Sequence, residues 1–223
     1  MRLVERQAHL DGLHALLGEA ARGKGRIVAL TGEAGAGKSA LVQAFAASIG
    51  ETGRVLWGAC EDLATPEPLG PLQDLARGAR WDLLKATTRG GRLAAFSESL
   101  DVFGEEGRAN LLVIEDLHWA DDATIDFVRF LGRRIHGSHI LLLITARNDE
   151  AVGRARLRRA LADVPADNVL RIDVPLLSEG AVAGLARDAG LDGEALYRAT
   201  AGNAFYVMEL LRAASPARSS SMT

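Results

Sequence analysis

Gly32-Glu33-Ala34-Gly35-Ala36-Gly37-Lys38-Ser39 is the stretch that decides the fold. It has the form G-x-x-x-x-G-K-[ST]. An apolar run, Ile27-Val28-Ala29-Leu30, leads into it, and Leu41, Val42, Phe45 and Ile49 follow at helical spacing. A strand, a glycine-rich turn and a helix in that order make a phosphate-binding loop. The glycines let successive backbone N–H groups turn toward phosphate oxygens, and the helix that follows adds its free N–H groups and the positive end of its dipole. On this reading Gly32, Glu33, Ala34, Gly35, Ala36, Gly37 and Ala40 contribute backbone, Lys38 reaches the outer phosphates, and the Ser39 hydroxyl ligates Mg²⁺. The chain has three lysines, Lys24, Lys38 and Lys85, and one stands where this chemistry needs it.

Working outward, five short runs read as strands: Ile27–Thr31, Arg54–Trp57, Leu111–Glu115, Ile140–Thr145 and Val169–Asp173. All but the second are nearly continuous in apolar residues, the pattern of strands buried on both faces of a parallel sheet. Helical patterns alternate with them. Leu10, Leu13, Leu16 and Leu17 mark one before the first strand; Ile125, Val128, Leu131 and Ile135 mark another, with Asp121 or Asp122 placed as its N-cap. Alternation of this kind predicts an α/β protein with an open parallel sheet of five strands flanked by helices. Ligands of such sheets sit at the carboxyl ends of the strands, where the phosphate loop lies. Residues 61–75 hold three of the six prolines and are expected to be an irregular connection. Beyond Pro175, two short helices are expected, around Glu179–Ala189 and Ala204–Ala213. The expected division is a nucleotide-binding unit over 1–175, a partial helical lid over 176–214 and a disordered tail over 215–223.

Composition narrows the function classes. A net charge of −3 gives no electrostatic case for nucleic-acid binding by the whole chain. One cysteine, Cys60, excludes a disulfide framework and a cysteine-based zinc site. The longest apolar stretch, Ile140–Ile144, falls far short of the ~20 residues of a membrane helix. The first residues lack the apolar core of a signal peptide. The expected compartment is the cytoplasm.

A second constellation is Leu111-Leu112-Val113-Ile114-Glu115-Asp116. Carboxylates directly after a buried strand are costly unless they meet a cation or a hydrogen-bond network. Beside the phosphate loop, Glu115 would hold the metal and Asp116 would orient or deprotonate the attacking water. The two roles are interchangeable at this level, so both count as metal-site residues. The strand Ile140–Ile144 ends in Thr145-Ala146-Arg147, where Arg147 could sense the terminal phosphate or be a surface arginine. His118 and Cys60 read more simply as a hydrogen-bond partner and a buried thiol. Arg154, Arg156, Arg158 and Arg159 read as a solvated helix face.

Taken together, these residues resemble the ATPase domain of the signal-transduction ATPases with numerous domains, most of all that of the large ATP-binding LuxR-type transcriptional regulators, within the AAA+ superfamily. The resemblance covers nearly the whole chain. Leu3-Val4-Glu5-Arg6 is similar to the family's opening segment beside the adenine, which makes Arg6 a nucleotide contact. Ile114-Glu115-Asp116-Leu117-His118-Trp119-Ala120-Asp121 resembles the Walker B signature and is the most specific match. Thr145 and Arg147 fall at sensor 1. Thr200-Ala201-Gly202-Asn203-Ala204-Phe205 is similar to the helical-lid motif, which places Asn203 near the base. Two departures stand out: Glu115 where many AAA+ proteins have Asp, and Ala204 where the family usually has Pro. The resemblance implies a slow ATPase switch with ATP as ligand, Mg²⁺ as cofactor and a protein partner or self-association. The family's winged helix, sensor array and helix-turn-helix find no counterpart here, so direct DNA binding is not implied. The rival expectations are a non-hydrolysing ATP/ADP scaffold and, further off, a P-loop kinase.

Overall fold

The computed structural model describes residues 3–50, 53–106, 108–148 and 151–214; the tail expected over 215–223 lies outside them. In chain order the elements are α1 (Gln7–Ala20), β1 (Arg26–Gly32), α2 (Lys38–Ile49), β2 (Gly53–Ala59), α3 (Gly70–Gly78), α4 (Leu83–Phe103), β3 (Ala109–Glu115), α5 (Asp122–Arg134), β4 (Ile140–Arg147), α6 (Ala151–Ala160), β5 (Val169–Asp173), α7 (Glu179–Asp188), α8 (Gly193–Thr200) and α9 (Ala204–Ala214). The strands form one sheet in the order β2-β3-β4-β1-β5, and every pairing is parallel. The expected α/β sheet of five strands is the observed one.

Its interior follows from strand alternation. Ile27 and Ala29 of β1, Leu112 and Ile114 of β3, and Leu142 and Ile144 of β4 face α3, α4 and α5. Val28 and Leu30, Leu111 and Val113, and Leu141 and Leu143 face the opposite way, onto α1 and α2. Residues 27–30, 111–114 and 140–144 are wholly inaccessible, which is why these runs are apolar without a break. A third apolar cluster, built on Leu177, Val182, Ala186, Leu196, Val207 and Leu211, holds the C-terminal helices together and takes in Val4 from the opening segment.

Three expectations needed revision. The stretch 61–75 is irregular only as far as Leu69, because α3 begins at Gly70 with Pro71 in its first turn. Proline is tolerated there, since the first N–H groups of a helix have no partner inside it. Three helices follow Pro175 instead of two. The extra one, α8, is capped by Asp192, which accepts from the N–H groups of Glu194 and Ala195 at 3.0 and 3.3 Å. Nor is the arginine run on α6 simply solvated. Arg156 donates to the Ala120 carbonyl and Arg159 meets Asp122 at 2.6 Å, which ties α6 to the loop after β3 and to the start of α5.

Candidate nucleotide site

At the end of β1 the chain turns on two glycines that only glycine suits, Gly35 (φ 77°) and Gly37 (φ 95°). α2 then starts at Lys38 with no side chain capping it, so its first N–H groups face the turn. Lys38 is buried, and its Nζ donates to the Gly32 and Glu33 carbonyls at 2.8 Å each. In this position the ammonium braces the loop. Around the loop opens a cavity of about 330 Å³, walled by Ala34, Gly35, Gly37, Lys38, Ser39 and Ala40 on one side. Asp116 and Arg147 close the second side; Ala204, Phe205, Met208, Glu209 and Arg212 of α9 form the third.

The strand ends deliver the polar groups. Arg147 ends β4 opposite Gly32 in the β1–β4 register, and its guanidinium lies 5.4 Å from the centre of the Trp119 ring. Asp116 follows β3 in the left-handed region (φ 54°, ψ 46°), uncommon for a non-glycine residue though less so for Asp. The fully buried Thr145 hydroxyl accepts the Asp116 N–H at 2.9 Å and so fixes that turn. The Asp116 carboxylate is 3.8 Å from Nδ1 of the buried His118. Glu115 behaves differently. As the last residue of β3 it lies on the α2 face, where its Oε2 accepts the Trp57 indole N–H at 3.1 Å. Its Oε1 is buried and meets no hydrogen-bond partner among the described residues. Glu115 does not reach the cavity wall.

Arg6 and Asn203 both engage the loop. The Arg6 guanidinium donates to the Ala36 carbonyl at 3.2 Å and the Pro175 carbonyl at 2.5 Å; burial pulls its pKa down, and these carbonyls replace the water it has lost. Asn203 Nδ2 donates to the Ala34 carbonyl at 2.8 Å, and the Phe205 N–H donates to Gly35 at 3.0 Å. Two successive loop carbonyls are thus bonded to the start of α9. A small apolar slot of about 40 Å³ adjoins the main cavity through Gly37, Ala40, Ala204 and Met208, with Leu3, Val4 and Arg6 on its far wall. The Arg6 guanidinium itself is committed to main-chain carbonyls.

A divalent cation fits this donor set. Among the described residues no three His, Cys, Asp or Glu side chains converge, so an ion could not be caged by protein alone. Mg²⁺ is held instead by one or two carboxylates together with substrate phosphates. Asp116 is such a carboxylate on the cavity wall beside the Ser39 hydroxyl, and the unsatisfied Glu115 oxygen, off that wall, could act through a water. Motif reading passed over Met208, Arg212 and Trp57. Phe205, Met208, Glu209 and Arg212 recur at i, i+3, i+4 and i+7, a spacing that could have marked one helix face as the cavity wall.

The model of the AAA ATPase domain family matches residues 2–144. This chain belongs to that family. No curated protein matches it. Among solved structures, the ADPNP–ADP complexes of the ORC2 protein of Aeropyrum pernix superpose with a TM-score of 0.62 at 14% identity, over 92% of this chain and 60% of that one. A signal-transduction ATPase with numerous domains and a tetratricopeptide repeat sensor, from Pyrococcus horikoshii, gives 0.57 at 19% identity, over 94% of this chain and 30% of that one. Cdc6p of Pyrobaculum aerophilum gives 0.57 at 21%, over 84% and 49%. At these identities the likeness is one of fold, and this AAA ATPase domain spans 30–60% of the first two of those chains. Among its described residues, no helix is long and apolar enough to cross a membrane.

Proposed function

We propose that this AAA ATPase domain is a cytoplasmic ATP switch that binds ATP–Mg²⁺ and hydrolyses it slowly, as the regulatory module of a signal-transduction ATPase of the LuxR-regulator type. The observation that carries the reading is the three-sided cavity. It brings the phosphate loop, the carboxyl ends of β3 and β4, and α9 around one volume of about 330 Å³. In this reading residues 1–175 are the nucleotide-binding unit and 176–214 a partial lid. The base lies in the main cavity where it meets the apolar slot, against Ala204 and Met208, the loop N–H groups and Lys38 take the phosphates, and Asp116 and Arg147 face the terminal phosphate across the cavity. Bound Mg²⁺ supplies charge neutralisation on the phosphates. Asp116, held by Thr145, orients and accepts a proton from the attacking water, while Arg147 registers the γ-phosphate. The Asn203–Ala34 and Phe205–Gly35 bonds couple the loop's conformation to the lid, so that a change at the phosphates shifts α9. Slow turnover without a partner, or without a second copy of the chain, agrees with a site whose chemistry is positioning and electrostatics.

A second reading, a scaffold that holds ATP or ADP without hydrolysis, draws on Glu115 lying off the cavity wall and on the lid bonded to the loop. Single-turnover release of the γ-phosphate separates the two. Wild-type protein is expected to release phosphate while Lys38→Ala does not, and Lys38→Ala weakens ATP binding about 10- to 100-fold through the lost charged hydrogen bonds. Retained ATP with no release above the Lys38→Ala control would establish the scaffold.

A further inference from the structure

Glu115 is held from one side only. Its Oε2 accepts the Trp57 indole N–H at 3.1 Å, whereas the buried Oε1 has no hydrogen-bond partner among the described residues. Buried acceptors in native proteins are almost always satisfied, and one left over calls for an explanation, of which an ion or a water is one. The two residues come together through the sheet. Ala59 of β2 is the register partner of Glu115, and Trp57, two residues earlier, projects to the same face. That face carries α2, which begins with the phosphate loop's Lys38 and Ser39, and the Trp57 ring lies in its apolar cluster beside Val55 and Val113. β2 is an edge strand, so the indole is packed on the sheet end without a further strand beyond it.

Resting on the ATP–Mg²⁺ reading above, we propose that Trp57 is the positioning residue of the metal carboxylate. Its N–H occupies Oε2 and leaves Oε1 as the oxygen that faces Mg²⁺ through a water, since Glu115 does not itself line the cavity. Two features of the chemistry point this way. Glu has one more rotatable bond than Asp, so a Glu at this place needs a second anchor to present one oxygen consistently. An indole N–H donates and never accepts, so it can hold only an acceptor oxygen and cannot compete for the cation. Partners that orient metal ligands in this way commonly govern metal affinity without touching the metal.

Trp57→Phe keeps an aromatic ring in the α2-side cluster and removes the N–H. The test uses the full chain saturated with ATP, with Mn²⁺ as the probe ion titrated by electron paramagnetic resonance and ATP binding measured separately in EDTA. The expected result is an about 10- to 100-fold loss of Mn²⁺ affinity with metal-free ATP binding unchanged. In a Glu115→Gln background, Trp57→Phe should add no further loss, because the indole acts through that carboxylate. Unchanged Mn²⁺ affinity overturns the proposal, as does an equal additional loss in the Glu115→Gln background. A parallel loss of ATP binding in EDTA also overturns it, since the indole would then be a support of the fold. A wild-type chain that binds no ATP would overturn the nucleotide reading and this inference with it. Intact ATP binding with unmoved metal affinity removes only the role of Trp57.

Discussion

Cys60 follows β2 with its thiol buried and its backbone N–H bonded to the Glu115 carbonyl at 2.9 Å. Burial, with Asp121 and Asp116 nearby, pushes the thiol up to about 12. The thiolate is the reactive species, so at pH 8 the native protein is expected to alkylate about 10³-fold more slowly than an ordinary cysteine. Iodoacetamide labelling followed by mass spectrometry checks this, with full labelling expected only after unfolding; rapid native labelling would show that the 59–61 segment opens. The same residue scale shows which residues a motif brings to one cavity and where motif reading stops. Lys38, Ser39, Asp116 and Arg147 were named from sequence and stand together on the cavity wall, because a local strand–turn–helix or a strand end determines where each one points. Trp57 carries no such local mark. Its meeting with Glu115 depends on which strand neighbours β3 and in what register.

Among the elements, the strands were the more legible. A run buried on both faces has no room for a polar residue, so β1, β3 and β4 announce themselves. The helices α3, α4 and α8 are not legible in the sequence, each for a physical reason. α3 opens at a proline within a proline-rich run. α4 contains Gly90-Gly91, where Gly91 leaves helical geometry (φ 75°, ψ 176°) and breaks the period. α8 is eight residues long and buries only Leu196 and Thr200. The cap of α5 was legible in part, as Asp121 or Asp122. Asp121 fills it: Oδ1 accepts from the N–H groups of Ala123 and Thr124 at 2.8 and 3.1 Å, and Oδ2 also accepts the Leu69 N–H at 3.2 Å. Asp121→Ala is expected to cost about 1–2 kcal/mol of stability by urea unfolding. Asp121→Asn, which keeps one acceptor oxygen, should recover part of that loss. An unchanged midpoint for Asp121→Ala would show that the loop and helix are held by something else.

For the molecule as a whole, the opening segment joins the sheet unit to the C-terminal helices. Arg6 bonds to the phosphate loop and to Pro175, while the Glu5 carboxylate takes the Ser178 hydroxyl and N–H at the start of α7, at 2.5 and 2.9 Å. Those bonds, with Arg6 alongside, hold the Glu5 carboxyl below its usual 4.5. A carboxyl lowered on folding adds stability above its unfolded value and loses it as the pH falls through the folded one. The stability difference between wild type and Glu5→Gln should therefore be constant above about pH 5 and shrink as the pH falls below it. Hydrogen exchange in α7 across pH 3–7 would check this, and a difference that does not change with pH would remove the carboxylate from the junction. The sequence alone determined the strand–turn–helix of the phosphate loop, the parallel sheet and the residues at its strand ends, because short-range periodicity and backbone chemistry specify all of these. Only the tertiary structure decided that Glu115 turns to Trp57 and away from the cavity wall, and that Asn203 and Phe205 fasten α9 to Ala34 and Gly35. Those outcomes rest on strand order and on contacts between residues as much as 170 positions apart, about which local pattern carries no information.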